Sequence, residues 1–361
     1  MFALIIVFLL VLSVLVLVHE FGHFFMARKL GVGVEEFGFG LPPRIIGKKI
    51  GETLYSLNLF PFGGFVKLYG EDSENKLKDP KRAFIKKSKK ARFAIVVAGV
   101  VMNFLLAIVS FAIVYSFSGI PRNTKNVKVV EVIAGSPAQV VGLVVGDVIK
   151  KVDKEEVVTV EKFVDLVEQS KGKKVKFTIG RNSSEIKLNI IPRENPPEGE
   201  GPLGVVITNT EIYFPPIYLR PFYGVYYGFK DAVFWGGNIA AGLFRMIKGL
   251  FAGDVPRDIA GPVGIFAITA KAAQYGILAV INFVGIMSVN LAILNILPFP
   301  ALDGGRLLFI GIEKAIGRKV LPKLESAIHT IGMIILLFLL LAITAHDIQR
   351  LISAGGFGGF L

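Results

Sequence analysis

The chain alternates between long uncharged apolar runs and stretches of mixed polarity. Four runs are long enough to cross a hydrocarbon core of about 30 Å, which takes roughly 20 helical residues. They are Phe2 to Phe25, Phe93 to Phe117, Ile277 to Leu297, and Ile328 to Ile343 with apolar flanks. Between the second and third, the pattern changes to short strand-like runs such as Val127 to Ile133 and Lys174 to Ile179, the mark of a small exported domain. A stretch rich in Pro, Gly and Glu, Pro192 to Pro202, is expected to close that domain as a linker. Beyond it, Pro221 to Ala252 is apolar but carries Asp231, Asn238 and Arg245 at a spacing of seven, with Lys248 beside them. Seven residues are close to two helical turns, so these side chains share one face. That predicts an amphipathic helix lying in the membrane interface. A fifth crossing is the competing reading, and it would put Asp303 on the opposite side of the bilayer from His19 and His23.

Composition supports the membrane reading: 53% of the 361 residues are apolar, and the mean hydropathy is +0.61. The first run lacks a basic leading segment and a small-residue cleavage site, so it is read as a span rather than a signal peptide. The formal charge of +13 would suit nucleic acid, but its distribution does not. Arg28 to Arg92 holds 15 Lys and Arg against 7 Asp and Glu, whereas Gly119 to Arg220 holds 15 against 13. By the positive-inside rule the first segment is cytoplasmic and the domain between spans two and three is extracytoplasmic. No basic domain with interleaved aromatics offers a nucleic-acid surface.

The absence of cysteine excludes disulfides, thiolate ligands and a Cys nucleophile. Imidazole chemistry is limited to His19, His23, His329 and His346. The first two stand in His19-Glu20-Phe21-Gly22-His23, an H-E-x-x-H at the end of span one. Helical residues at i and i+4 project from one face, so both rings can reach one metal ion while Glu20 reaches a water beside it. An acidic residue deep in a span costs about 2.5 to 3.5 kcal/mol on insertion scales, so such a residue usually has a function. The rise from Phe2 to His19 is about 26 Å, which leaves snorkelling of Glu20 to the interface as the competing reading.

A catalytic zinc takes three protein ligands and keeps a position for water. With four crossings, Asp303 returns to the same membrane level as His19 and His23, which makes it the candidate third ligand. It follows Asn295-Ile296-Leu297-Pro298-Phe299-Pro300-Ala301-Leu302, where two prolines end a helix. Capping of a helix beginning at Gly304 is its structural alternative. His329 reads as an ordinary helix-end histidine and His346 as an interfacial one.

These two motifs, in this order, resemble the site-2 protease family of intramembrane zinc metalloproteases, in its bacterial RseP-like branch. Gly63-Gly64-Phe65-Val66-Lys67 and Gly261-Pro262 extend the resemblance over nearly the whole chain. Ser136-Pro137-Ala138, Gly142-Leu143 and Gly146-Asp147-Val148-Ile149 resemble PDZ domains, with room for one where RseP itself has two. The resemblance implies Zn²⁺ bound by His19, His23 and Asp303, with Glu20 as general acid and base. Asn295, Pro298 and Pro300 would hold the substrate strand, and the loop Thr53 to Leu68, with Gly63, Gly64 and Phe65, would form a membrane-dipping β-hairpin. Alternation of Tyr55, Leu57 and Leu59 with Ser56, Asn58 and Phe60, and a turn at Gly63-Gly64, fit a hairpin; a plain interfacial loop is the alternative.

The expected fold is thus an α-helical polytopic membrane protein of four spans with a cytoplasmic-side β-hairpin and an inserted α+β PDZ domain. Its parts are a membrane core of residues 1–118, a PDZ domain of 123–193, a post-PDZ region of 203–275 with the interfacial helix, and a second membrane part of 276–361. The expected activity is hydrolysis of transmembrane protein substrates in a bacterial plasma membrane, with anti-sigma factors and signal-peptide remnants as the family's substrate classes. A membrane-anchored zinc protease acting on loops or soluble proteins, and a non-catalytic PDZ scaffold, are the competing functions. The PDZ domain would bind a peptide tail or exclude bulky substrate ectodomains.

Overall fold

A segment in hydrocarbon must satisfy its backbone polar groups internally, and the apolar runs accordingly close into helices. The computed structural model describes residues 2–71, 77–252, 260–318 and 320–353. In chain order the elements begin with α1 (Phe2–Lys29), β1 (Val34–Ile50), β2 (Thr53–Leu68) and α2 (Lys89–Ser118). There follow β3 (Ile120–Val132), α3 (Pro137–Val140), β4 (Val148–Val152), β5 (Glu155–Glu156), α4 (Val160–Gln169), β6 (Val175–Arg181), β7 (Ser184–Ile190) and β8 (Val205–Tyr213). The chain ends with α5 (Arg220–Phe251), α6 (Pro262–Gln274), α7 (Ile277–Ile296), α8 (Asp303–Ile316) and α9 (Pro322–Ser353). Two compact units result, one of Met1–Phe117 with Pro216–Leu361 and one of Ser118–Pro215.

In the first unit, four helices among the described residues are long and apolar enough to cross a membrane: α1, α2, α7 and Leu324–Ser353 of α9. These are the four expected runs; α1, α2 and α9 are lengthened by polar turns that continue the helix, while α7 stops at Ile296, ahead of Pro298. Two apolar clusters join them. Val11 and Leu15 of α1 pack with Phe283 of α7. Ala107 and Phe111 of α2 pack with Ala232 of α5 and Val289 of α7. At one end of α2, Arg92 is paired with Glu313 of α8, at 4% and 2% exposure. Glu313 also accepts the Val320 amide at 3.3 Å, and its backbone carbonyl accepts Lys89 Nζ at 2.7 Å.

The β-structure after α1 differs from the expected hairpin. Its strands β1 and β2 are joined at Gly51-Glu52, and β2 reverses direction ahead of Gly64 as expected, but its two arms flank β1 instead of pairing with each other: Glu36 pairs with both Leu54 and Lys67. Gly63, at φ +95°, sits at that reversal, in a conformation glycine adopts without strain. Helix α5 also departs from expectation. Asp231, expected on a polar face with Asn238 and Arg245, instead accepts the Tyr115 hydroxyl of α2 at 2.6 Å.

The second unit is a sheet in the order β7-β6-β4-β3-β8, with β5 paired to β4. Val127, Ile149, Phe163, Phe177, Ile179 and Leu203 form its core. The expected boundary at Arg193 is too short. Strand β8 returns to pair with β3 from Ile120↔Tyr213 to Val132↔Val205. The stretch read as a linker therefore lies within the unit, tied by the Arg193 to Glu200 ion pair at 2.5 Å. Composition had marked a loop between strands as the end of a domain. Asp147, with no exposed surface, accepts two hydrogen bonds at 2.7 Å from Arg181 and one at 2.9 Å from the Val144 amide. Burial raises its carboxyl, but these partners outweigh it and hold the group below the usual carboxylate range.

Candidate metal centre

Helix α1 carries His19, Glu20 and His23, and helical geometry puts both imidazoles on one face. That face meets α2. A Cβ on Gly22 would overlap the backbone of Ala98, and a Cβ on Gly99 would overlap the His23 ring and lie 2.7 Å from the His19 ring. The two glycines let the helices approach closely enough for the imidazoles to lie against α2. His23 Nδ1 is 2.9 Å from the Ile95 carbonyl, so it is the donor nitrogen and Nε2 keeps its lone pair.

Asp303 comes from the other end of the chain. Pro298 and Pro300 end α7 and force a loop, and α8 starts at Asp303 itself. The N-cap position is held by Leu302, without a side-chain cap hydrogen bond, so the capping alternative does not describe Asp303. Gly304, which has no room for a Cβ beneath the Ile296 and Leu297 carbonyls, lets α8 tuck under the end of α7. Asp303 Oδ2 then lies 3.1 Å from His19 Nε2 and 3.2 Å from His23 Nε2, and the two Nε2 atoms are 3.1 Å apart.

This triangle fits a metal. Tetrahedral zinc with bonds of about 2.0 to 2.2 Å sets its ligand atoms roughly 3.3 Å apart. Oδ2 is buried without a hydrogen-bond partner, facing a nitrogen whose proton is committed elsewhere. Among the described residues these three form the one group able to hold a metal ion. Converging lone pairs repel, and a cation at their centre removes that cost.

A cavity of about 370 Å³ opens beside the triangle, lined by His19, Glu20, His23, Asn295, Phe65 and Asp303 among others. Glu20 stands next to the imidazoles, and a Cβ at Gly64 of β2 would lie 3.4 Å from its Cγ. Asn295 Nδ2 is 3.4 Å from His19 Nε2. Pro298, Pro300, Gly63 and Gly64 are not among the residues that line the cavity.

Residues 7–339 match Peptidase family M50. The chain belongs to this family, the site-2 proteases. Zinc metalloprotease RasP of Oceanobacillus iheyensis is 29% identical over 96% of this chain and 99% of its own. Regulator of sigma-W protease RasP of Bacillus subtilis is 26% identical over 96% and 98%. A Clostridium perfringens protein assigned as a zinc metalloprotease is 35% identical over 94% and 97%. Among solved structures, the PDZ domain of an SdrC-like protein from Listeria monocytogenes is similar at 23% identity over 23% of this chain and 87% of its own, with a TM-score of 0.21. The protein is therefore a zinc metalloendopeptidase of a membrane-protein family, and zinc is the metal its site must accommodate.

Several site groups carried no sequence signal. Gly99 and Ile95 on α2 lack any motif. Glu71 pairs with Arg306 of α8 beside the cavity, while its other oxygen accepts the Leu68 amide at 3.1 Å. His329 is more than a helix-end histidine: its Nδ1 accepts the Ala301 amide at 2.9 Å, bracing the loop that carries Asp303. Ala301 has φ +76°, a left-handed conformation that a non-glycine residue adopts only when neighbours hold it there.

Proposed function

We propose that the protein hydrolyses peptide bonds within or near the transmembrane segments of membrane proteins, with His19, His23 and Asp303 holding zinc and Glu20 as general acid and base. The observation that carries this reading is the triangle of Nε2, Nε2 and Oδ2 beside Glu20, on a helix of membrane-spanning length. When bound, zinc supplies Lewis acidity toward the scissile carbonyl and acidifies water. Glu20 accepts a proton from the attacking water as its oxygen bonds to the carbonyl carbon. It then gives that proton to the amine as the C–N bond breaks.

A transmembrane helix hides its peptide bonds, so a substrate must unwind locally. We assign β2 as the surface it meets. Phe65 and Val66 line the cavity, and the sheet of β1 and β2 has no third strand among the described residues. An unwound segment added alongside would regain backbone hydrogen bonds. Asn295, with Pro298 and Pro300 shaping its loop, would steady the strand on the far side.

The proposed setting is a bacterial plasma membrane, with the catalytic end of α1 cytoplasmic because the basic segment from Arg28 to Arg92 follows it. The unit Ser118–Pro215 is a PDZ domain on the extracytoplasmic side that excludes bulky substrate ectodomains. Family resemblance and the sigma-W regulator name of the Bacillus subtilis relative support anti-sigma factors as a substrate class; signal-peptide remnants rest on the resemblance alone.

The test is a substrate whose one cleavable bond lies inside its span, reconstituted with the protein in liposomes. Cleavage within the span supports the reading. Cleavage confined to loops or soluble tails would instead make this a membrane-anchored protease of exposed segments.

A further inference from the structure

The two imidazoles are not equally well explained. His23 hands its Nδ1 proton to the Ile95 carbonyl. His19, if Nε2 is to face a metal, must also carry its proton on Nδ1 and needs an acceptor there. Among the described residues its Nδ1 has one hydrogen-bond partner, the side-chain amide of Asn103 at 3.4 Å.

Asn103 lies on α2, with no exposed surface, in the middle of a span. A primary amide in that position is costly unless it is used. As drawn, Nδ2 faces His19 and Oδ1 is buried without a partner. Nitrogen and oxygen of an amide are interchangeable by a half-turn of the side chain, and the choice is settled by the hydrogen-bond network. Turning it places the oxygen opposite His19 Nδ1. One amide atom lacks a partner either way, but only the turned form lets both histidines present Nε2 lone pairs.

We infer that Asn103 is a positioning residue for the metal centre: its amide oxygen accepts the Nδ1 proton of His19 and fixes the ring's tautomer and orientation. This rests on the reading of His19 as a zinc ligand. It gives α2 a role that no motif announces. Ile95, Gly99 and Asn103 recur at i, i+4 and i+8, so they form one stripe on the helix. The outer two hold one imidazole each, and the glycine between them leaves room for both rings. The Asn103 backbone carbonyl is itself engaged by the Ser288 hydroxyl of α7 at 2.7 Å. That contact stands apart from the amide and serves as a control.

The experiment measures zinc affinity of the purified full-length protein in detergent, by competition with a chromogenic chelator, without recourse to proteolysis. Asn103→Leu removes the acceptor and is expected to weaken zinc binding about 10-fold or more, within the range for such supporting partners. Asn103→Asp keeps an acceptor but loses the donor, and is expected to bind zinc at least as tightly as wild type. Ser288→Ala is expected to leave the affinity unchanged. Wild-type affinity in Asn103→Leu would overturn the inference. So would a 10-fold loss in Asn103→Asp, which would mean that His19 needs the amide N–H or merely the packing. Failure of the underlying reading would look different, because His19→Ala would then retain zinc.

Discussion

Asp303 Oδ2 lies 3.1 Å from Nε2 of His19, although the two residues stand near opposite ends of the chain. Nothing local holds them together. The contact depends on α1 and α7 packing side by side and on the prolines that end α7 where the chain must turn back. Each ligand should therefore be indispensable. Single replacements His19→Ala, His23→Ala and Asp303→Ala are expected to lower zinc content from about one per chain to near zero. Atomic emission on the purified proteins measures this directly, and full zinc retention in any of the three would remove that residue from the ligand set.

Gly99 offers a sharper steric test. A single added methyl would collide with the His23 ring. Gly99→Ala should weaken zinc binding by roughly 10- to 100-fold or more, with Gly237→Ala as a control where a Cβ meets open space. Equal zinc affinity in the two variants would show that α2 does not press on the imidazoles as described.

Both motifs and the four long apolar helices were legible in the sequence, because each rests on chemistry with a fixed spacing: imidazoles at i and i+4, runs of about 20 apolar residues. The meeting of Asp303 with His19 and His23 followed from counting crossings. What escaped was whatever depends on tertiary contact between ordinary residues. Gly99 looks like any glycine in an apolar helix, and Glu71 like any loop carboxylate, until α2 and α8 are in place. His329 was misjudged for the same reason: its partner is a backbone amide 28 residues earlier. The boundary at Arg193 failed because Pro, Gly and Glu mark a loop equally well inside a domain as after one, and strand β8 lay beyond it.

The buried pair of Arg92 and Glu313 makes a prediction about stability rather than catalysis. Removing one partner leaves a charge uncompensated in the interior, so Glu313→Gln should destabilise the protein by about 3 to 5 kcal/mol. Replacing both by apolar residues, Arg92→Met with Glu313→Leu, should cost less than either single change. Thermal unfolding in detergent distinguishes them. A double variant worse than both singles would contradict this account of the pair.

Acid should loosen the Ser118–Pro215 unit through Asp147. Its folded pKa lies below the unfolded value of about 3.9, so its stabilisation is full above that pH and is lost as the pH falls through the folded value. Amide protection factors across residues 118–215 of the intact chain, taken relative to the intrinsic exchange rate at each pH, should therefore fall below about pH 4. Asn at position 147 should cost about 1 to 3 kcal/mol near neutrality and remove that part of the acid response. An Asp147→Asn protein with the same pH profile as wild type would show that another carboxylate is responsible.

The proposed role of Glu20 is to move the proton in a zinc-dependent hydrolysis inside the membrane. It is tested most directly by Glu20→Gln, assayed in liposomes against a substrate cleavable only within its span, with zinc measured on the same preparation. About one zinc per chain, as in wild type, is expected, with cleavage reduced by at least about 100-fold. Wild-type cleavage by a zinc-loaded Glu20→Gln protein would contradict it.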